Sequence, residues 1–382
     1  MEYRILGNTG LSVSVIALGC EGFVGKTEEQ VHSEMDFAIS KGINFIDMYT
    51  SNPDLRSNIG KALAERRQQF IIQGHLCTTW ENDQYLRTRD VEKTIASFED
   101  QLTRLHTDYL DIGMIHYVDS EEDFHEVFNG PIIQLALRLK EEGKIRHIGL
   151  SSHNPTVARL AVESGLIEVL MFSINPCYDL QPPSENVDDL WADESYAHSL
   201  ENIDPEREKL YELCEQKGIG LDVMKAYGGG DLLSETNSPF GKAMTPVQCI
   251  EYALTRPAVA SVMVGCKSCD EMQAAINWCN ATKEEKDYTP VMAGMEKFSW
   301  QGHCMYCGHC APCSVGIDIA SVNKYYNLTI AQNEIPETVR EHYKTLSHHA
   351  SECIQCGQCE TNCPFGVAII EQMEKAAEKF GY

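Results

Sequence analysis

The chain has 382 residues with 31 basic and 57 acidic side chains, a formal net charge of −26 at pH 7. That balance argues against nucleic acid or an acidic membrane as partner and would steer a basic protein toward it. No apolar run approaches the roughly 18 residues a spanning helix needs. The opening MEYRILGNTG has neither a basic n-region nor an apolar h-region, so a cytoplasmic chain without a signal peptide is expected.

Residues 1–285 alternate short apolar runs with longer amphipathic stretches. In chain order the runs are SVIALG (14–19), INFIDMY (43–49), FIIQGHL (70–76), YLDIGMIH (109–116), HIGLSS (147–152), VLMFSIN (169–175), GIGLDVMKA (218–226) and SVMVG (261–265). Segments such as TEEQVHSEMDFAISKG and DVEKTIASFEDQLTRL carry the helical period between them. Eight βα units of this length predict an α/β fold, a (β/α)8 barrel over 1–285, with its chemistry at the C-terminal ends of the strands. No G-x-G-x-x-G follows the first strand, which leaves a Rossmann dinucleotide site unsupported. Strand alternation places Ile43, Phe45, Asp47 and Tyr49 on one face, and Leu110, Ile112, Met114 and His116 on another. An acid, a phenol and an imidazole converging at a barrel mouth suit polarisation and protonation of a carbonyl oxygen. A long acidic loop over 177–207 follows the sixth run; Trp191 and Tyr196 are its candidate pocket residues.

Residues 286–382 form a second, mainly helical module, because eight of the 16 cysteines fall after residue 300. Cys353, Cys356, Cys359 and Cys363 follow C-x2-C-x2-C-x3-C, with Pro364 after the last, the spacing of a [4Fe-4S] ligand run. Cys304, Cys307, Cys310 and Cys313 repeat the pattern upstream. Zinc is the competing reading, but it usually takes two separated C-x2-4-C knuckles; disulfides suit a reducing compartment less well. Two clusters are expected. By the rule for two-cluster modules, the fourth cysteine of each run serves the other cluster. One set is then Cys304, Cys307, Cys310 and Cys363; the other is Cys353, Cys356, Cys359 and Cys313. Cys20, Cys77, Cys177, Cys214, Cys249 and Cys279 read as small hydrophobes, and the pair Cys266 and Cys269 as incidental.

The segments YRILGNTGLSVSVIALGC, FIDMYTS, DYLDIGMIHYVD and KIRHIGLSSHN resemble the aldo-keto reductases. The whole chain resembles the subgroup that carries a C-terminal ferredoxin-type 4Fe-4S domain. The resemblance implies NADPH-dependent reduction of a carbonyl compound, with a tyrosine as general acid assisted by a histidine and a lysine–aspartate pair. Tyr49 corresponds to the tyrosine, His116 to the histidine and Asp47 to the aspartate. Ser151, Ser152 and Asn175 correspond to the set around the nicotinamide amide. Lys225 beside the glycine-rich loop containing Gly229 corresponds to a phosphate contact, and Gly265, Lys267 and Ser268 to the adenosine end of the cofactor. The family lysine falls on Gly74 in FIIQGHL, and His75, of opposite parity, is expected to face the helices. Without that lysine three activities compete. They are an NADP(H)-dependent carbonyl reductase, a reductase fed by a flavin or by the clusters, and a non-catalytic redox-sensing or partner-binding protein. The expected partners are a small carbonyl substrate and an electron-donor protein.

Overall fold

All eight apolar runs become staves of one closed parallel barrel, in chain order around the ring. The strands are β1 (Ile16–Gly19), β2 (Phe45–Met48), β3 (Ile71–Leu76), β4 (Leu110–Ile115), β5 (Ile145–Ser152), β6 (Val169–Ser173), β7 (Gly220–Met224) and β8 (Val259–Val264). The computed structural model describes residues 1–82, 84–190, 200–292, 298–299, 302, 304, 306, 308, 310–330, 335 and 337–382. Trp191, Tyr196 and Cys307 lie outside the described residues.

The helices between strands begin where the sequence supplies a cap. Thr27 and Gln30 form a capping box at Glu28–Ser40, and Asp90 accepts from Lys93 N at the start of Val91–Arg104. Each satisfies donors that a helix start leaves unpaired. In Val91–Arg104 the buried residues Thr94, Phe98 and Gln101 recur at helical spacing and turn toward the strands.

Two apolar layers result. Inside the barrel sit Ala17, Phe45, Ile112, Met114, Val169, Met171, Ala260 and Met263. Leu6 and Val13 join them from beside the N-terminal hairpin, Tyr3–Ile5 with Ser12–Ser14. Gly7 permits that closure, because a Cβ there would lie 2.3 Å from Gly220 N. Ile43 and Leu110 pack in the outer layer instead. The predicted alternation therefore holds only above the feet of β2 and β4. Two hairpins have no counterpart in the predicted set: the N-terminal one, and one of Thr78–Glu81 with Gln84–Arg87 that follows β3 at the mouth.

The outer core runs without a break into the C-terminal module, through Ile317, Ile319, Val322, Val339 and Met373. That module is built mainly of Ile319–Ile330, Glu337–Lys344, Gln358–Asn362 and Ile369–Phe380. Ile319–Ile330 packs on Pro205–Lys217 of the barrel. A buried polar seam crosses the same junction. Asp179 accepts from the Tyr211 and Tyr252 hydroxyls, and the Arg256 guanidinium lies over the rings of Tyr252 and Tyr306. Among the described residues, no helix is long and apolar enough to cross a membrane.

Candidate active site and thiol pockets

β2, β3 and β4 are neighbours in the barrel, so the side chains at their C-terminal ends meet. Asp47 pairs in register with Gln73 and Met48 with Gly74; His75 pairs with Met114. Inward-facing Asp47, Gln73, His75 and His116 are all buried. His75 Nε2 lies 2.9 Å from Asp47 Oδ1, and His75 Nδ1 lies 2.7 Å from His116 Nδ1. The other nitrogen of His116, Nε2, hydrogen-bonds the Tyr85 hydroxyl. One continuous chain therefore runs Asp47–His75–His116–Tyr85.

The expectation for Gly74 and His75 is corrected by this geometry. A Cβ on Gly74 would meet Leu110 Cδ1 at 2.6 Å and Gln101 Nε2 at 2.7 Å, so Gly74 faces the helix layer. His75 is the residue beside Asp47. The parity assignment was displaced by one residue, and a displacement of one reverses every side chain of a strand.

Tyr49 and His116 do converge, as expected. Their rings stack with centroids 5.8 Å apart, and the Tyr49 ring meets that of Tyr85 edge-on at 5.5 Å. Burial, followed by a hydrogen bond to Glu21, raises the Tyr49 pKa. Burial, followed by Tyr117, does the same for Tyr85. Both phenols keep their protons at neutral pH and suit acid rather than base chemistry. Burial, then the charges of His75 and Arg89, hold His116 well below its ordinary value. Arg89 fixes that histidine from behind: it donates to His116 O and Tyr117 O while pairing with both Asp123 oxygens. Below the mouth, Gln73 Nε2 bridges Asp47 and Asp222. Burial, then Asp47, pushes the Asp222 carboxyl well above its ordinary range, which favours its neutral form.

The residues expected around a nicotinamide fall on the neighbouring strand ends. The Ser151 hydroxyl is buried and has no partner among the described residues, a fit for a carboxamide. Ser152 is used internally, by Val118 O and Asp119. Asn175 is also committed: Oδ1 accepts from Cys177 N and Tyr178 N, and Nδ2 donates to Lys225 O. Gly229 (φ 71°) and Gly230 (φ 108°) adopt left-handed backbone, and a Cβ at Gly229, Gly230 or Gly265 would enter open space. That leaves room for backbone to approach a ligand. Lys267 and Ser268 are less free than expected. Glu271 occupies Lys267 N at 2.7 Å, and Ser268 caps the helix Cys269–Ile276, so a phosphate would have to displace Glu271.

In the C-terminal module the thiols divide between two pockets. One is lined by Cys313, Cys353, Cys356 and Cys359, the other by Cys304, Cys310 and Cys363. Among the described residues no three such side chains converge as they would on a single ion; each set rings a space instead. Hydrogen bonds reach the sulfurs: Asn323 Nδ2 donates to Cys304 at 3.5 Å and Gln355 N to Cys353 at 3.4 Å, and the Ser314 hydroxyl lies 3.6 Å from Cys356. Hydrogen bonds of that kind stabilise thiolate ligands and tune a cluster.

His75, Tyr85, Glu21, Gln73, Asp222 and Arg89 were not among the predicted site residues. His75 and Asp222 carried a signal, each as an ionisable side chain inside an apolar run.

The model of the aldo/keto reductase family matches residues 15–249, and that of a 4Fe-4S dicluster domain matches residues 300–367. The uncharacterized oxidoreductase YqkF of Bacillus subtilis (strain 168) is 28% identical over 304 residues, covering 75% of this chain and 94% of that relative. The aldo-keto reductase YhdN of the same organism is 30% identical over 161 residues, 40% of this chain and 47% of its own. Among solved structures, the holo form of aldo-keto reductase AKR11C1 from Bacillus halodurans shares the fold with a TM-score of 0.57. It is 24% identical and covers 75% of this chain and 94% of its own. With the family model matched over residues 15–249, most of the barrel and more than half of the chain, the chain is an oxidoreductase that belongs to the aldo/keto reductase family.

Proposed function

We propose that the barrel reduces a carbonyl compound with NADPH, and that the C-terminal thiols hold two [4Fe-4S] clusters. The observation that carries the first part is the Asp47–His75–His116 chain at the strand ends. It places an imidazole, able to carry a positive charge, where the family resemblance implies a lysine. The non-catalytic reading rested on an absent cation, and His75 removes that ground. NADPH, when bound, supplies a hydride to the carbonyl carbon. Ser151, the open ground at Gly229 and Gly265, and Lys225 are the residues that would hold it. The site's phenols hold the proton for the carbonyl oxygen, and the buried barrel interior beneath them excludes water from that end.

The second part rests on the two thiol-lined pockets, one drawing Cys313 from the first run and the other Cys363 from the second. Clusters bound there would supply one-electron chemistry. In the coupled reading those electrons would enter the barrel directly or through a flavin. Protein purified without oxygen should contain about eight iron and eight sulfide per chain, and NADPH should support reduction of 4-nitrobenzaldehyde. Bleaching of the cluster absorbance by NADPH alone would favour the coupled reading. Bound zinc without sulfide would sink the cluster assignment, and failure to oxidise NADPH with any aldehyde or ketone would sink the carbonyl reductase.

A further inference from the structure

We propose that Tyr85, rather than Tyr49, gives the proton to the substrate's carbonyl oxygen, and that His116 and His75, the latter held by Asp47, resupply it. The inference rests on the carbonyl-reductase reading above.

Two phenols stand at the mouth, and their hydrogen bonds separate them. The Tyr49 ring packs against both histidines, with centroids 5.8 Å from His116 and 6.3 Å from His75. No hydrogen bond joins its hydroxyl to either histidine among the described residues. The Tyr85 hydroxyl meets His116 Nε2 directly. It arrives on the hairpin Thr78–Glu81/Gln84–Arg87, remains half-buried, and so is open to a ligand entering from the mouth.

Two assignments of protons, one proton apart, make every contact a donor meeting an acceptor. With both imidazoles neutral, Tyr85 O–H donates to His116 Nε2, His116 Nδ1–H to His75 Nδ1 and His75 Nε2–H to Asp47. The proposed step starts from the state with the added proton. With His75 as imidazolium, Nε2–H donates to Asp47 and Nδ1–H to His116 Nδ1. His116 Nε2–H then donates to the Tyr85 oxygen, which leaves the Tyr85 O–H free for substrate. With a hydride supplied to the carbonyl carbon by NADPH when bound, the Tyr85 O–H bond would break as the alcohol O–H bond forms. The phenolate takes the proton from His116 Nε2, and His116 Nδ1 takes the proton from His75 Nδ1. His75 is left neutral, still donating to Asp47. One proton from solvent restores the start, so each turnover consumes one hydride and one proton. Imidazole relays of this kind need ring nitrogens within hydrogen-bond reach on both sides, and the 2.7 and 2.9 Å contacts of His75 supply that.

The experiment compares Tyr85→Phe and Tyr49→Phe in full-length protein, with 4-nitrobenzaldehyde and NADPH as probes and NADPH affinity followed separately by fluorescence. Tyr85→Phe should lower kcat on the order of 10²–10⁴-fold with NADPH affinity kept, and Tyr49→Phe should cost less than about a tenth of that. A second readout needs no turnover. In protein with 15N-labelled histidine, Tyr85→Phe should move the His116 Nε2 resonance and leave His75 Nε2 in place, which also establishes that the variant is folded. Unchanged or increased kcat in Tyr85→Phe, or an unmoved His116 Nε2, overturns the proposal. A wild type that reduces no carbonyl with NADPH overturns the functional reading and the donor assignment with it. An active wild type with an unimpaired Tyr85→Phe variant overturns the donor assignment alone.

Discussion

Gly74 and His75 are adjacent, yet they belong to different layers of the molecule and should fail in different ways. Gly74 has no room: a Cβ would press to within 2.9 Å of Leu110 and both polar atoms of Gln101. Gly74→Ala should therefore cost about 1–3 kcal/mol of stability through overpacking, while kcat per folded molecule stays near wild type. His75 lies between Asp47 and His116. His75→Ala should leave the fold largely intact and reduce kcat on the order of 10²-fold or more. Urea midpoints and steady-state kinetics on the same two variants check both statements. Had Gly74 been the site residue, the pattern would be reversed. The reason it was misassigned is physical. Gly74 lies among residues buried on both faces, so burial alone does not fix the parity of the strand; the cue is the polar pair Gln73 and His75, two residues apart.

At the scale of elements, the eight staves were legible because each is a short apolar run bounded by helical pattern, and the structure uses all of them. The hairpin Thr78–Glu81/Gln84–Arg87 was not. Its sequence TTWENDQYLR is largely polar and turns at Asn82 (φ 52°) without the Asn-Gly or Asp-Gly signature of such turns. A site residue carried on that element, Tyr85, was therefore hidden. The helix Pro205–Lys217 offers a test of another kind. Burial, followed by Glu208, pushes the Glu212 carboxyl up from 4.5 to about 8. The folded chain thus holds this proton across a pH window in which the unfolded chain releases it. Stability attached to Glu212 is present below about pH 4.5 and is lost as pH rises toward 8, by an amount on the order of a few kcal/mol. Glu212→Gln should then be nearly neutral at pH 4.5 and stabilising at pH 9. Urea midpoints of wild type and variant across that range measure the difference; a difference independent of pH would mean that the carboxyl is solvated.

For the whole molecule the decisive question is how two cysteine runs, separated by some 40 residues of sequence, share their ligands. Sequence spacing suggested an exchange of the fourth cysteines, and the pockets fall in the same arrangement: Cys313 stands with Cys353, Cys356 and Cys359, and Cys363 with Cys304 and Cys310. The helices Ile319–Ile330 and Ile369–Phe380 pack together, which brings the end of each run back to the other. Pairwise removal distinguishes exchange from separate runs. Under exchange, Cys313→Ala with Cys353→Ala damages one cluster only and should retain about half of the iron and sulfide. Cys353→Ala with Cys363→Ala strikes both clusters and should lose most of it. Were each run to hold its own cluster, these two outcomes would change places, since Cys353 and Cys363 would then be ligands of the same one. Metal analysis and the electron paramagnetic resonance of dithionite-reduced double variants read the answer directly. Exchange also has a mechanical consequence. Each cluster then ties the beginning of the module to its end, so loss of either should loosen both runs together, and proteases should cut iron-free protein within the module before they cut the barrel.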